Sequence, residues 1–334
     1  MSQPSHRTIL ANHLGRAIAG KRPNASFPRL DRDGKAASWA DGHYDRAMAT
    51  EQDVRALLVA GDDALADAAF CTGDFGKARE LMEAAHAEAV RSADVSAQAS
   101  ALDALGMLAH YENITKLMSG STISPEDIDA EERLFRQALV GWQQLGEPAE
   151  SAQSLFGLGL VYQVLHSDWT TAMPYYWQAL GLITADEATG LYLRSEVHRH
   201  VGFYFLVEAS QPAEAVRHLQ ISLDLREELG DQRRIPSGLV ALAEAELEAG
   251  GRDRAIELLT RAVATAREAG LLPERIRDAE RGLAEAEAAT GASAGNGMPT
   301  DNAEANTGAS AGSGPGRDVP ETEPGAPEAD AKPE

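Results

Sequence analysis

The sequence predicts an all-α protein built as an array of paired helices, and three observations carry that prediction. From residue 51 to 290 there is no sustained apolar/polar alternation and no Asn-Gly or Asp-Gly turn between β-branched runs, so strand signals are missing. Ala, Leu, Glu and Arg dominate instead, with apolar residues at helical spacing between the short breaks "TGDFG", "LGEPAE", "ASQPAE" and "EAGGRD". The pattern also repeats. Aligning the second helix of each expected pair matches Ala78, Glu131, Ala172, Ala215 and Ala255, at separations of 53, 41, 43 and 40 residues. A period near 40 with one oversized unit is what a stacked repeat array produces.

Taken in order, residues 1–50 carry eight Lys/Arg against four Asp/Glu. "RTILANHLGRAIAG" places Ile9, Leu10, Leu14 and Ile18 on one side of a short helix, and "KRPNASFPRLDRDGK" breaks it with two prolines and a glycine. This stretch is expected to be a poorly ordered basic segment lying against an acidic body. Residues 51–290 form the array. Its oversized unit holds extra residues around "ENITKLMSGSTISPEDID", where Ser124 reads as a helix N-cap with Pro125 in the first turn. The 113–127 stretch is expected to be a surface loop extension, with a flap over a groove as the functional alternative. After Ala262, Ile276, Ala279, Leu283 and Ala286 give "LLPERIRDAERGLAEAEAAT" one apolar side, as a C-terminal capping helix requires. Residues 291–334 are mostly Gly, Ala, Ser, Pro and acid, a composition that cannot offset its ordering entropy, so this tail is expected to be disordered.

Each unit carries two sets of spaced residues. First helices place apolar or small residues at i, i+3, i+4 and i+7: Leu102, Leu105, Gly106, Ala109; Leu155, Leu158, Gly159, Tyr162; Leu239, Leu242, Ala243, with Glu246 fourth. Second helices repeat at i, i+4 and i+7: Ala78, Met82, Ala85; Ala172, Tyr176, Ala179; Ala215, Leu219, Ser222; Ala255, Leu259, Ala262. Both sets follow one stripe of a 3.6-residue helix. Gly106, Gly159, Gly202 and Ala243 remove bulk where the paired helix crosses, leaving space for rings such as Tyr176. Six of the eighteen aromatic residues fall within 155–183, and Pro174 reads as lying in the first turn of that unit's second helix with Trp169 in the turn before it.

This pattern resembles the tetratricopeptide repeat (TPR) family over about 240 residues, most closely at Leu155, Leu158, Gly159, Tyr162, Ala172, Tyr176 and Ala179 and in "TGDFGKARELMEAA". The unit is longer than the family's usual repeat and is similar to the longer-helix units of large bacterial LuxR-like regulators and of kinesin light chains. His198, Val201, Glu246 and Glu131 depart from the family pattern. The resemblance implies a right-handed superhelical solenoid of about five helix pairs whose first helices line a concave surface. The stripe beside the packing stripe then faces that groove: Asp103, Met107, His110, Tyr111; Gln153, Phe156, Leu160, Gln163; Glu196, Arg199, Phe203, Leu206; and Val240, Glu244, Leu247. Apolar anchors among a few hydrogen-bonding groups suit an extended or helical peptide.

Other chemistry is poorly served. The formal charge of −22 opposes nucleic acid and anionic membranes as partners. "GDFGK" lacks the spacing, the following Ser/Thr and the preceding strand of a phosphate loop, so it reads as a turn. In "HRH", His198 and His200 point about 200° apart on a helix, which disfavours a shared metal ion. Cys71 is the single cysteine and reads as a buried structural thiol in a reducing compartment. No Ser-His-Asp, paired-carboxylate or metal-helix motif occurs at a meaningful spacing. The expectation is a cytoplasmic, bacterial, non-catalytic scaffold or adaptor that binds a protein or peptide, needs no cofactor or metal, and is compatible with a homo-oligomer. The alternative is a ligand- or peptide-responsive regulatory module related to bacterial transcription-regulator arrays but lacking the DNA-binding domain.

Overall fold

The computed structural model describes the backbone of residues 40–185 and 190–294, and side chains within 53–183 and 190–288. Among the described residues there is no strand. Eleven α-helices follow one another: α1 (Ala40–Asp67), α2 (Gly76–Ser92), α3 (Val95–Met118), α4 (Pro125–Leu145), α5 (Pro148–Leu160), α6 (Trp169–Ala185), α7 (Leu191–Phe203), α8 (Pro212–Leu229), α9 (Ile235–Glu248), α10 (Arg252–Glu268) and α11 (Pro273–Ala294). Three of them, α1, α5 and α7, run on into π-helical turns at Ala68–Thr72, Val161–Leu165 and Tyr204–Glu208. No described helix is long and apolar enough to cross a membrane. Residues 1–39 and 295–334, which hold most of the expected basic segment and of the expected tail, lie outside the described residues. Helix α1 begins at Ala40, ahead of the expected boundary at 51.

Short connections bring each helix back against its chain neighbour, as antiparallel packing requires. The most extensive contacts are within the pairs α1–α2, α3–α4, α5–α6, α7–α8 and α9–α10, and second helices also pack on the first helix that follows. The aligned positions Ala78, Glu131, Ala172, Ala215 and Ala255 are all completely buried. Four are small because a helix crosses them closely. Glu131 is the exception, and its carboxylate is satisfied from α3: His110 Nδ1 lies 2.5 Å from one oxygen and Asn113 Nδ2 donates to the other at 2.8 Å. A buried carboxylate needs such partners to be tolerated.

The glycines do what their spacing implies. A Cβ on Gly159 would overlap the Tyr176 ring, and one on Gly202 would lie 2.7 Å from Leu219 Cγ. The Phe135 ring of α4 fills two such gaps: it would lie 2.6 Å from a Cβ on Gly106 and would overlap one on Gly157. These are sub-van-der-Waals approaches, so such crossings are locked by one side chain seated on one bare backbone.

The extra residues of the long unit do not form a flap. They lengthen α3 and α4, leaving only 119–124 as a largely exposed loop, and Asn113 within the expected insertion is a core hydrogen-bonding group. Ser124 caps α4 by accepting from Asp127 N at 3.1 Å, with Pro125 as the first helical residue. Helix α6 starts earlier than the sequence suggested. Asp168 accepts from Thr171 N at 3.0 Å, so Trp169 is already helical and Pro174 lies in the second turn.

Helix α11 seals α10 through Ala279 and Ala286, both buried, with Gly282 against Leu259. The chain at the start of α11 also reaches back to the turn that ends α1. Leu272 N donates to Phe70 O at 2.8 Å, and Arg275 Nε and Nη2 donate to Ala69 O at 3.0 and 2.7 Å. The turn after α1 and the start of α11 are therefore joined.

Candidate functional site

The first helices α3, α5, α7 and α9 each pack on the partner helix of their own pair and on the preceding second helix; α1 also touches α3, and α3 touches α5. A helix so surrounded is buried nearly all round, and α3 buries residues on every side from Ala97 to Ile114. This decides the fate of the expected groove. Asp103, Met107, His110, Tyr111, Phe156, Leu160, Gln163, Glu196, Arg199, Phe203 and Val240 are all buried, as is Gln153, so they do not line an open groove. Leu206 and Glu244 are half-buried, and only Leu247 is exposed. A stripe rule that assigns one helical face to packing and the next to solvent fails when both faces meet protein.

What the structure makes of these residues is a chain of buried polar bonds. Asp103 joins three helices: Trp142 Nε1 donates to Oδ2 at 2.9 Å and Ser154 Oγ to Oδ1 at 2.7 Å. Burial still pushes its carboxyl up to about 7, because two neutral donors do not replace water around a full charge. Gln163 Oε1 accepts from Tyr176 OH at 2.5 Å and from His200 Nδ1 at 2.8 Å, while Phe156 packs on both rings. His198 reaches the other way, to His218. Their Nδ1 atoms are 3.0 Å apart, and Arg217 Nη2 is 2.9 Å from His218 Nε2. A guanidinium only donates, so His218 Nε2 is the acceptor and its proton is on Nδ1, pointing at an unprotonated His198 Nδ1. Burial lowers both imidazoles to about 4, with the facing histidine and Arg194 adding to it for His198 and Arg217 for His218.

The densest charge lies where α7, α8 and α9 meet. Glu196 and Arg226 form a fully buried ion pair. Arg226 Nη1 also donates to Arg234 O at 2.8 Å and Ser237 Oγ at 2.7 Å. Arg199 donates to Ser237 O at 2.9 Å and sits 4.8 Å over the Phe203 ring; burial, then repulsion from Arg226, brings it down to about 9. Glu244 Oε2 is buried although the residue as a whole is half-exposed, and burial takes its carboxyl up to about 8 against the pull of Arg199. Arg234 lies 4.5 Å over Tyr192 and 5.8 Å from Phe70. Removing one member of such a buried pair costs about 3–5 kcal/mol, so these groups act first as structural ties. Cys71 is half-buried, and its thiol is raised first by desolvation and then by Asp67, away from nucleophilic character.

A group of partly exposed aromatic rings lies outside that stripe. Trp177 on α6 is 42% exposed and meets Phe205 edge-on at 6.2 Å. Phe205 is 5.5 Å from Tyr204, and Tyr204 is 6.0 Å from Trp169. Phe205 and Trp169 each pack on both hydrophobic cores of the molecule, yet both remain partly exposed. The signal was in the sequence as an aromatic surplus at 155–183. The missing step was the π turn Tyr204–Glu208, which has no fully buried residue and touches α6. Among the described residues, no group of three or more His, Cys, Asp or Glu is placed to hold a metal ion.

No protein-family profile and no curated protein matches the chain. Among solved structures, the chain is similar to BtubC (BKLC) from P. vanneervenii, at 14% identity over 78% of this chain and 97% of that chain, with a TM-score of 0.35. A superposition that loose carries no inference about fold or function.

Proposed function

We propose that the chain is a non-catalytic scaffold of the TPR type, a right-handed superhelical array of helix pairs that binds a protein or peptide. Support for the repeat reading comes from the five equivalent buried positions and the close crossings at Gly106, Gly159 and Gly202. Support for a non-catalytic role comes from the polar clusters themselves: His110, Glu131, His198, His218, Glu196 and Arg226 are engaged with one another across helices. The contact surface in this reading is the ridge of Trp169, Tyr204, Phe205 and Trp177 rather than the inner stripe.

The single observation that carries the placement is Trp177, a tryptophan left 42% exposed against another ring. Trp and Tyr in such partly packed clusters dominate binding energy at interfaces because they bring large area at small conformational cost. The test is crosslinking capture from the native host with the wild type and with Trp177→Ala and Phe205→Ala combined. Partners lost selectively by the variant, at unchanged helicity, support the surface. Retention of every partner refutes it.

A further inference from the structure

We propose that the junction between the turn after α1 and the first turn of α11 is a releasable clasp, at which the two ends of the array part and rejoin without the helix pairs unfolding. A helix leaves its last carbonyls without intrahelical partners, and its first N–H groups likewise. At the end of α1 the π turn closes with Gly73 N on Ala68 O at 2.8 Å. Ala69 O and Phe70 O, the next carbonyls, are met from across the chain: Arg275 donates twice to Ala69 O, and Leu272 N donates to Phe70 O. The cation Arg275 thus faces the negative end of the α1 dipole, while an orphan N–H from the start of α11 faces a carbonyl at that end.

Each end caps the other, over a separation of 206 residues between Ala69 and Arg275. Water satisfies the same groups when the ends separate, so parting them leaves no polar atom of these bonds stranded. The junction also buries apolar side chains, Phe70, Ala266 and Leu271, within one core cluster, and its other contacts are lighter. Arg275 lies 4.6 Å over the Phe70 ring, Cys71 Sγ is 4.0 Å from Ala269 O, and Arg233 bridges to Asp63 at 2.7 Å with the Asp63 side chain 73% exposed. A small, partly open pocket of about 30 Å³ lies at the junction, lined by Phe70, Met118, Ser237, Leu271 and Arg275 among others. By contrast, the helix pairs are held by side chains seated on glycine backbone. Parting the ends withdraws Phe70 from Arg234. That uncovers a guanidinium whose Nη1, and a neighbouring tyrosine, Tyr192, whose OH, have no hydrogen-bond partner in the closed form. The clasp is independent of which surface holds a partner, and its test needs no partner.

Hydrogen exchange of the intact chain, resolved by peptide mass spectrometry, reads the clasp directly. Segments 68–75 and 268–276 are expected to exchange about tenfold faster than 155–165 and 235–245, or more, through an opening smaller than global unfolding. Arg275→Met is expected to speed exchange further in those two segments alone. Ala269→Cys, oxidised to join Cys71, is expected to slow them to the rate of the core, with reversal on reduction. Where Arg275→Met unfolds the chain, the wild type and the oxidised Ala269→Cys variant still decide the matter. The proposal is overturned if the junction segments of the wild type exchange only as slowly as the core, or if the crosslink leaves their rate unchanged.

Discussion

Replacing Asp103 by Asn separates the structural use of this carboxylate from the cost of its charge. Asp103 is 2% exposed, and its donors from α4 and α5 are the Trp142 indole and the Ser154 hydroxyl. Asn keeps both bonds: its carbonyl accepts from Trp142, and its amide donates to a reversed Ser154 hydroxyl. The folded carboxyl is raised from 3.8 to about 7 by burial, so between these values the native state holds a proton that the unfolded state has released. Stability from this group therefore falls as pH rises from about 4 to 7 and is at its lowest above 7. The full span of that shift corresponds to about 4 kcal/mol as an upper limit. The Asp103→Asn variant has no such term, because its amide does not titrate. Urea unfolding followed by circular dichroism at pH 5, 6.5 and 8 is expected to show the variant gaining on the wild type by about 2–4 kcal/mol from pH 5 to 8. A difference independent of pH, or one that grows toward acid, would refute the assignment of a buried, poorly compensated charge.

Other outcomes follow from the same structure. Gly159→Ala drives a methyl into the Tyr176 ring and is expected to lose about 3 kcal/mol in urea unfolding, with much of it restored when Tyr176→Leu is added. The His198–His218 pair is expected to stay neutral down to about pH 4; since both pKa values are lowered, the stability it confers is present above 6.5 and lost as pH falls toward 4. Imidazole C–H resonances that titrate near 6.5 would contradict the pairing. Ser124→Ala removes the α4 cap and is expected to cost about 1 kcal/mol, measured as a small fall in melting temperature with no loss of helicity.

Much of the helical packing was legible because packing leaves a local signature. Ala78, Ala172, Ala215 and Ala255 are small at one register because a helix crosses there, and Gly159 precedes the residue that fills its gap by a fixed interval. Ser124 was legible for the same reason, since a cap and its helix are adjacent in sequence. The binding surface was not. Whether Phe156 or Phe203 faces solvent depends on what lies on the far side of its helix, and periodicity within the helix does not report that. Glu131 looked like a departure from the pattern because its partners, His110 and Asn113, belong to another helix. The joining of Phe70 to Leu272 has no sequence trace at all, being made by main-chain atoms that nearly every residue carries.

Phe135 has a consequence for how such an array can change over time. Its ring rests against Gly106 of its own pair and Gly157 of the next, so the seat it needs is built from both. A cut between α4 and α5, although it falls in a short exposed link, would strip one wall from that seat and leave the ring facing water. Duplication, deletion or exchange at this point of the chain therefore has to carry α3, α4 and α5 together, because the Phe135 seat spans all three. The smallest piece that moves intact here is larger than a helix pair.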